Sequence, residues 1–247
     1  MPEIEFIVRR HADKAKGGEE WGGRTLVKDE VSPKGYGQAN RAGVIGYAHA
    51  PRVIILRRVS NAIRTRQTSD EVMRGAVESG ARLTTIAPRE DANFFGITVA
   101  DKAKWAEALS KGEDEGIRKF FKGHDVGLTE NPRQLGERYA TGVKSLLSKV
   151  QMHLANKRAN ALRSKAYVVD VTAHSPGVGA LAAYLLGRHE SDGSVKLATA
   201  SLLKMPERLT EEVRITMHVD DYGQLKSATA HFRDDKKDVT KLFMPRT

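Results

Sequence analysis

Residues Ile4–His11, with the sequence IEFIVRRH, join a short apolar run directly to an arginine and a histidine. An apolar run of this length, rich in isoleucine and valine, is typical of a buried strand in an α/β protein. Ligands of open α/β sheets bind at the carboxyl ends of the strands. The guanidinium of Arg10 can bind an anion there, and the imidazole of His11 can act as a nucleophile. We therefore predict a chemically active site where this first strand ends.

Segments of the same character recur along the chain, and each is followed by a loop or a helix. They lie at about 4–9, 53–58, 82–87, 167–173 and 213–219. A last alternating segment near 227–233 follows the turn residues Asp220 to Gly223. We predict that it pairs with the preceding strand as a hairpin at the edge of the sheet.

Helical patterns occupy the intervals between the strands, at about 32–48, 61–79, 133–158 and 176–186. The alternation of strands and helices predicts an α/β fold of three layers (αβα) with a mostly parallel central sheet. We expect a single domain over residues 1–247. The stretch at about 92–165 has glycines, scattered charge and no strand pattern, so we predict a mainly helical insertion over the C-terminal edge of the sheet.

The composition excludes several classes of protein. The chain of 247 residues contains no cysteine, which rules out disulfides, zinc–cysteine sites and thiol catalysis. No apolar run approaches the roughly 20 residues that span a bilayer, so no membrane partner is expected. The first residues lack the basic and apolar regions of a signal peptide. We therefore expect a cytoplasmic protein.

The formal net charge of +10 favours phosphorylated or polyanionic partners. This charge is spread along the chain, with small concentrations at Arg57-Arg58, Lys157-Arg158 and Lys236-Lys237. There is no arginine-rich arm, zinc finger or basic motif interleaved with aromatic residues. We therefore do not expect nucleic acid to be the main partner.

A second motif, Ser60–Thr68 with the sequence SNAIRTRQT, begins a predicted helix directly after the second strand. The free N–H groups at a helix N-terminus attract anions. Arg64 and Arg66 point to different faces of such a helix, so that one can face the site while the other is solvated. We assign Arg64 to the site.

A third motif, Val171–Ser175 with the sequence VTAHS, ends a strand at the same sheet edge. A second histidine there, His174, can clamp a phosphoryl oxygen and stabilise charge in the transition state. The backbone N–H of Ser175 and the helix that begins at Pro176 add positive potential. Two histidines and two or three arginines at strand ends are enough to hold a phosphoryl group and to attack it.

Together these motifs resemble those of the histidine phosphatase superfamily, also called phosphoglycerate-mutase-like. The stretches that carry the resemblance are Arg10–Ala12, Val31–Ala39, Ser60–Thr68, Val171–His174 and Thr199–Lys204. The resemblance covers residues 4–91 and 166–235, whereas the predicted insertion matches only loosely. Ala12 stands where the family more often has glycine.

The resemblance implies a phosphohistidine mechanism that uses no metal ion and no cofactor. By analogy with the family, His11 is the nucleophile. The phosphate pocket is formed by Arg10, Arg64 and His174, and the N–H of Ser175 lies beside it. Such a pocket works by positioning and electrostatics, because the equatorial oxygens of the phosphoryl group meet fixed donors.

The general acid is the part of the family pattern from which this chain departs. In the phosphoglycerate-mutase branch the acid, usually a glutamate, lies in a segment that here is Pro88–Gly96, with the sequence PREDANFFG. A gap-free match places Ala92 at its position. Either Glu90 or Asp91 reaches the pocket after a small loop shift, or the leaving group is protonated in another way. We favour Asp91.

The leading hypothesis is a phosphomonoester hydrolase that acts on a phosphorylated small molecule or a phosphoprotein through a phosphorylated His11. A phosphoglycerate-mutase-type phosphotransferase with the same mechanism is the nearest alternative. From a different class, a phospho-ligand binding module would keep the pocket and lack turnover. A nucleic-acid binder on the same scaffold rests on charge alone. The sequence indicates neither the physiological substrate nor the oligomeric state.

Overall fold

The structure is a computed structural model that describes residues 3–47, 53–156, 166–196, 212–220 and 222–244. Its strands are β1 (Glu3–Arg10), β2 (Glu20–Trp21), β3 (Arg24–Thr25), β4 (Val53–Val59), β5 (Leu83–Thr85), β6 (Arg89–Glu90), β7 (Ala166–Ala173), β8 (Glu212–Val219), β9 (Leu225–Phe232) and β10 (Asp235–Asp238). Its helices are α1 (Pro33–Tyr47), α2 (Ile63–Glu78), α3 (Lys102–Leu109), α4 (Glu113–Phe121), α5 (Pro132–Asn156), α6 (Ser175–Leu186) and α7 (Thr240–Phe243). A 3₁₀ turn, Ala92–Phe94, follows β6. The predicted strands and the four predicted helices are confirmed.

The central sheet is mixed, with the strand order β10-β9-β8-β1-β7-β4-β5 and with β6 paired to β4. Within it β1, β7, β4, β5 and β6 pair in parallel, as predicted, whereas β2 and β3 form a separate antiparallel pair. On the other side of the sheet β8, β9 and β10 pair antiparallel, which includes the predicted hairpin of β8 and β9. A tight turn joins β8 to β9, where the N–H of Gly223 donates to the carbonyl oxygen of Asp220. Two strands joined by such a short turn can pair only antiparallel.

Helices cover both faces of the sheet and give the predicted three layers. In β1, Ile7 packs into the cluster beneath α1 and α2, whereas Phe6 and Val8 pack into the cluster beneath α5 and α6. Successive side chains of a strand point to opposite faces. A strand that is apolar at nearly every position is therefore buried on both sides, which is the pattern that the sequence shows.

Some predicted features lie outside the described residues. These are the end of the first predicted helix at Ala48, the last residues of the predicted insertion (157–165) and the stretch Thr199–Lys204. The part of the predicted insertion that is described contains the 3₁₀ turn, α3, α4 and α5. Among the helices of the described segments, none combines the length and apolarity needed to cross a membrane.

The parallel strands bring residues of the three sequence motifs side by side. β1 and β7 pair so that Arg10 lies opposite Ala173, and β4 and β7 pair so that Val59 lies opposite Thr172. Each of the three strands therefore ends at the same edge of the sheet. The residues that follow them, His11, Ser60 and His174, begin the candidate site.

Candidate active site

His11 lies immediately beyond β1, and its side chain is almost completely buried. Its backbone N–H continues the strand ladder by donating to the carbonyl oxygen of Ala173 at 3.0 Å. Its imidazole Nδ1 lies 2.7 Å from the carbonyl oxygen of Ala12. Because a carbonyl oxygen can only accept, Nδ1 carries the proton and Nε2 has the lone pair. The local backbone therefore selects the tautomer in which Nε2 can act as a nucleophile.

Arg64, in the first turn of α2, contacts both histidines through one guanidinium. Its Nε donates to Nε2 of His11 at 3.0 Å, and its Nη2 lies 3.4 Å from Nδ1 of His174. A guanidinium can only donate, so the two imidazole nitrogens that face it both present lone pairs. The two imidazole centroids are 5.5 Å apart. A single cation thus bridges the two histidines that the sequence motifs singled out.

His174 lies beyond β7, at the N-cap position of α6. Its Nε2 lies 2.8 Å from the hydroxyl oxygen of Ser60. Because Nδ1 accepts from Arg64, Nε2 carries the proton and donates to Ser60. The Ser60 hydroxyl in turn donates to the hydroxyl oxygen of Thr65. Ser60 therefore orients the His174 ring, a role that its position directly after a strand could have indicated.

Burial and neighbouring cations favour the neutral form of both imidazoles. Burial is the largest cause that lowers the pKa of His11 well below its ordinary value, and the charge of Arg64 adds to it. Burial, followed by Arg64 and Arg10, lowers the pKa of His174 to about 4. A neutral imidazole has the lone pair that nucleophilic attack requires. The pocket therefore carries its positive charge on the arginines while His11 stays in its reactive form.

The remaining predicted phosphate-binding residues lie at the same edge. Arg10 is the last residue of β1, and its charge lowers the pKa of His11, of His174 and of Arg64. Ser175 is the first residue of α6, directly after His174. The structure thus brings together all of the residues that were predicted to form the phosphate pocket.

The two predicted general acids have partners of their own. Glu90 lies 3.8 Å from the guanidinium of Arg66, and both side chains are about half exposed. The carboxylate of Asp91 accepts hydrogen bonds from the backbone N–H and the side-chain amide of Asn93, at 3.1 and 2.9 Å. Asp91 therefore caps the 3₁₀ turn that follows β6. Local partners hold both carboxylates where they are.

The segment after β6 reaches the pocket at Gly96 rather than at a carboxylate. A Cβ atom at Gly96 would lie 3.2 Å from Cδ2 of His174. Phe94 fixes this segment, because its buried ring packs edge-on against Tyr139 of α5, with 5.3 Å between the ring centroids. The hydroxyl of Tyr139 also donates to the carbonyl oxygen of Phe94 at 3.1 Å. The glycine therefore lets the backbone approach the imidazole closely.

Gln67 and Thr68 anchor the loop that follows the nucleophile, the segment 12–31. The hydroxyl oxygen of Thr68 accepts from the backbone N–H of Ala12 at 3.0 Å. The side-chain oxygen of Gln67 accepts from the backbone N–H of Val31 at 2.8 Å. Both ends of the loop are thus tied to α2, the helix that carries Arg64. The sequence motif contains both residues, but its spacing does not reveal this role.

Two carboxylates near Arg64 were not among the predicted site residues. The Oδ1 atom of Asp29 lies 3.6 Å from Nη1 of Arg64. Glu113 begins α4 and lies 3.7 Å from the ammonium of Lys14. Burial lowers the pKa of Arg64, whereas the charges of Asp29 and Glu113 oppose that shift. They come from distant parts of the chain, and no sequence pattern marks them.

The arrangement can bind a tetrahedral oxyanion and attack it. Two guanidiniums and the N-terminus of α6 supply fixed donors that suit phosphate oxygens. The lone pair on Nε2 of His11 supplies the nucleophile. Across the described segments, no cluster of three or more His, Asp or Glu side chains is arranged to hold a metal ion.

Comparison with solved structures identifies the fold. The native structure of a mycobacterial glucosyl-3-phosphoglycerate phosphatase matches with a TM-score of 0.54 and 16% identity, over 94% of this chain and 97% of that one. Mycobacterial hydrolase 2 matches with a TM-score of 0.54 and 18% identity, over 94% of this chain and 90% of that one. A complex of the mycobacterial phosphatase with VO3 matches with a TM-score of 0.50 and 19% identity, over 87% and 93% of the two chains.

The protein therefore has the fold of the histidine phosphatase superfamily, to which the matched phosphatase belongs. The fold expected from the sequence motifs is confirmed. No protein-family model matches the sequence, and the search of curated proteins finds no relative.

Proposed function

We propose that this protein is a phosphomonoester hydrolase that acts through a phosphohistidine on His11. The observation that carries the proposal is the contact of Arg64 with both imidazoles. In it the Nε atom of Arg64 lies 3.0 Å from Nε2 of His11, which has the lone pair. A bound phosphoryl group would accept the hydrogen bonds that Arg64 now donates to the two imidazoles. Such a group lies next to the nucleophile, Nε2 of His11. The similarity in fold to a glucosyl-3-phosphoglycerate phosphatase and to its VO3 complex supports this class of reaction.

In the first step the lone pair on Nε2 of His11 attacks phosphorus and the bond to the leaving oxygen breaks. The proton on Nδ1 stays in its hydrogen bond with the carbonyl oxygen of Ala12. That contact stabilises the positive charge that develops on the ring as the N–P bond forms. In the second step water attacks phosphorus, the N–P bond breaks and its electron pair returns to Nε2.

His174 has a separate task in this mechanism. A phosphate dianion nearby favours the protonated form of an imidazole. Protonation adds a hydrogen to Nδ1 of His174, while Nε2 keeps its bond to Ser60. His174 then donates to a phosphoryl oxygen together with Arg10 and Arg64. The pocket thereby gains a positive charge at the moment when the substrate brings negative charge into it.

The proposed substrate is a phosphorylated small molecule or a phosphoprotein, the reaction uses neither a metal ion nor a cofactor, and the protein acts in the cytoplasm. The net charge of +10 is compatible with such anionic substrates. Phosphorylated small molecules are the first class to test, because the matched phosphatase is named after one.

The test is hydrolysis of p-nitrophenyl phosphate by the full chain in the presence of EDTA. The wild type is expected to turn over, and His11→Ala is expected to lose about a thousandfold or more of kcat, because the nucleophile is removed. His124→Ala is the matched control, since His124 is an exposed histidine in the loop that follows α4. Rapid denaturation during turnover should trap phosphate on the chain in an acid-labile, alkali-stable form.

Other outcomes would identify a different function. Hydrolysis that persists in His11→Ala, or that EDTA abolishes, contradicts the proposal. A wild type that binds vanadate without turnover of any phosphomonoester is a binding module. A rate that depends on a bisphosphorylated primer indicates a mutase.

A further inference from the structure

Asp29 is held beside Arg64 by an unusual backbone conformation. Its φ angle is 73°, one of only two positive values at non-glycine positions in the described part of the chain. Asp is among the few residue types that adopt this left-handed conformation, which is found preferentially at functional sites. The conformation places the carboxylate 3.6 Å from Nη1 of Arg64. Its side chain is about half exposed, so it lies at the mouth of the pocket.

The neighbouring residue Glu30 fixes this part of the loop. Its buried carboxylate accepts from the guanidinium of Arg24, the backbone N–H of Val27 and the amide of Gln67. The hydrogen bonds with Arg24 are the largest cause that lowers the pKa of Glu30 to about 2. Glu30 therefore stays ionised as a structural anchor, and Asp29 is the residue that this anchor positions.

Arg64 has one donor directed to each of three partners. Nε faces His11, Nη2 faces His174 and Nη1 faces Asp29. A phosphoryl group that accepts from Nε and Nη2 lies on the side of the imidazoles. The carboxylate of Asp29 then contacts the same guanidinium at its third nitrogen, Nη1. A carboxyl group on this guanidinium is therefore a neighbour of any phosphoryl group that the guanidinium binds.

We propose that Asp29 is the catalytic proton donor and acceptor of the phosphomonoesterase reaction, in place of the carboxylates of the segment after β6. The inference rests on the proposed function. Glu90 and Asp91 are bound to Arg66 and Asn93. Glu113 is paired with Lys14 and has no contact with Arg64 as short as that of Asp29.

The proton transfers balance over the two steps. In the first, the N–P bond forms, the P–O bond to the leaving group breaks, and the leaving oxygen takes the proton of the Asp29 carboxyl. In the second, the Asp29 carboxylate takes a proton from water as that water attacks phosphorus and the N–P bond breaks.

The experiment compares two substrates of similar shape, p-nitrophenyl phosphate and phenyl phosphate, in single-turnover measurements of phosphohistidine formation. The nitrophenolate ion leaves without a proton, whereas phenolate is a poorer leaving group that needs one. Asp29→Asn keeps the size of the side chain and the tolerance for positive φ. It is expected to slow the reaction of phenyl phosphate by about a hundredfold or more, and that of p-nitrophenyl phosphate far less.

Glu113→Gln is the matched control, because it removes the other carboxylate whose charge acts on Arg64. It is expected to leave the ratio of the two rates as in the wild type. An equal loss on both substrates in Asp29→Asn would show that Asp29 only positions Arg64 and would overturn the inference. So would a selective loss in Glu113→Gln. A wild type that is inactive on both substrates is a different result, since it would refute the phosphatase itself.

Discussion

Replacing Arg64 by lysine keeps a positive charge in the pocket but removes the planar fork of donors. In the structure that fork reaches His11 through Nε at 3.0 Å and His174 through Nη2 at 3.4 Å. An ammonium group is a single point at the end of a flexible chain and cannot face both imidazoles in this way. Arg64→Lys therefore separates the geometry of the donors from their charge.

The expected loss in oxyanion affinity follows from these two donors. A hydrogen bond to a charged group contributes roughly 1.5–3 kcal/mol. Lysine is expected to keep one of the two bonds to the anion, so binding weakens by about 2 kcal/mol, which is about 30-fold in Kd. Isothermal titration calorimetry with vanadate near neutral pH measures this change. The kcat/KM for p-nitrophenyl phosphate is expected to fall at least as far, because charge on the phosphoryl oxygens meets the same donors in the transition state.

The same helix offers a matched control in Arg66, which is about half exposed and paired with Glu90. Arg66→Lys changes the same chemical group at a surface ion pair, where such a contact contributes little. Its vanadate Kd is expected to stay within about 2-fold of the wild type. Equal vanadate affinity of Arg64→Lys and wild type, or an equal loss in both variants, would refute the role given to the guanidinium of Arg64.

Two further predictions concern stability. The pKa of His174 is about 4 in the folded chain and 6.5 ordinarily, so the unfolded chain binds this proton first. The free energy of unfolding should therefore fall between about pH 6.5 and 4, by about 3 kcal/mol at most for this group. Urea titrations across that range should show a weaker decline in His174→Gln, and an unchanged decline would contradict the shift. Asp170→Ala removes the carboxylate that lies 2.6 Å from the fully buried guanidinium of Arg9 and leaves it only Glu212, at 3.1 Å, so it should cost about 3 kcal/mol, the lower end of the range for breaking a buried ion pair. Urea unfolding measures that loss, and Arg9→Met in the same chain should recover part of it; a single-variant loss below about 1 kcal/mol would contradict the prediction.

The strands that carry the histidines could be predicted because their pattern is local. β1 is apolar on both faces, so the run from Ile4 to Val8 indicates a strand that is covered on both sides. The polar residues directly beyond such a strand lie at its carboxyl end by necessity. The placement of His11 and His174 at one edge then needs only parallel pairing of their strands, which the structure shows for β1 and β7.

The direction of β8 could not be predicted from its own residues. A buried strand has the same apolar pattern whether it pairs parallel or antiparallel. The turn at Asp220–Gly223, in contrast, did indicate the hairpin of β8 and β9. The parallel pairings were therefore predicted, and among the antiparallel ones only that of β8 with β9.

The spacing of sequence motifs was least able to identify the carboxylate beside the site. Glu90 and Asp91 lie next to the position that the family pattern marks, yet Arg66 and Asn93 engage them locally. Asp29 reaches Arg64 from the loop after the nucleophile, and the path of that loop depends on contacts between distant residues, such as Ala12 with Thr68.

The sequence by itself determined the chemical groups of the site and the strand ends that present the two histidines. Regular elements have a fixed repeat, so a residue at a strand end has a predictable place. Only the tertiary structure decided which tautomer each imidazole adopts and which carboxylate stands beside Arg64. Those features depend on the paths of loops, which are determined by hydrogen bonds between distant residues. A loop lacks the regular periodicity that makes a helix or a strand predictable from sequence.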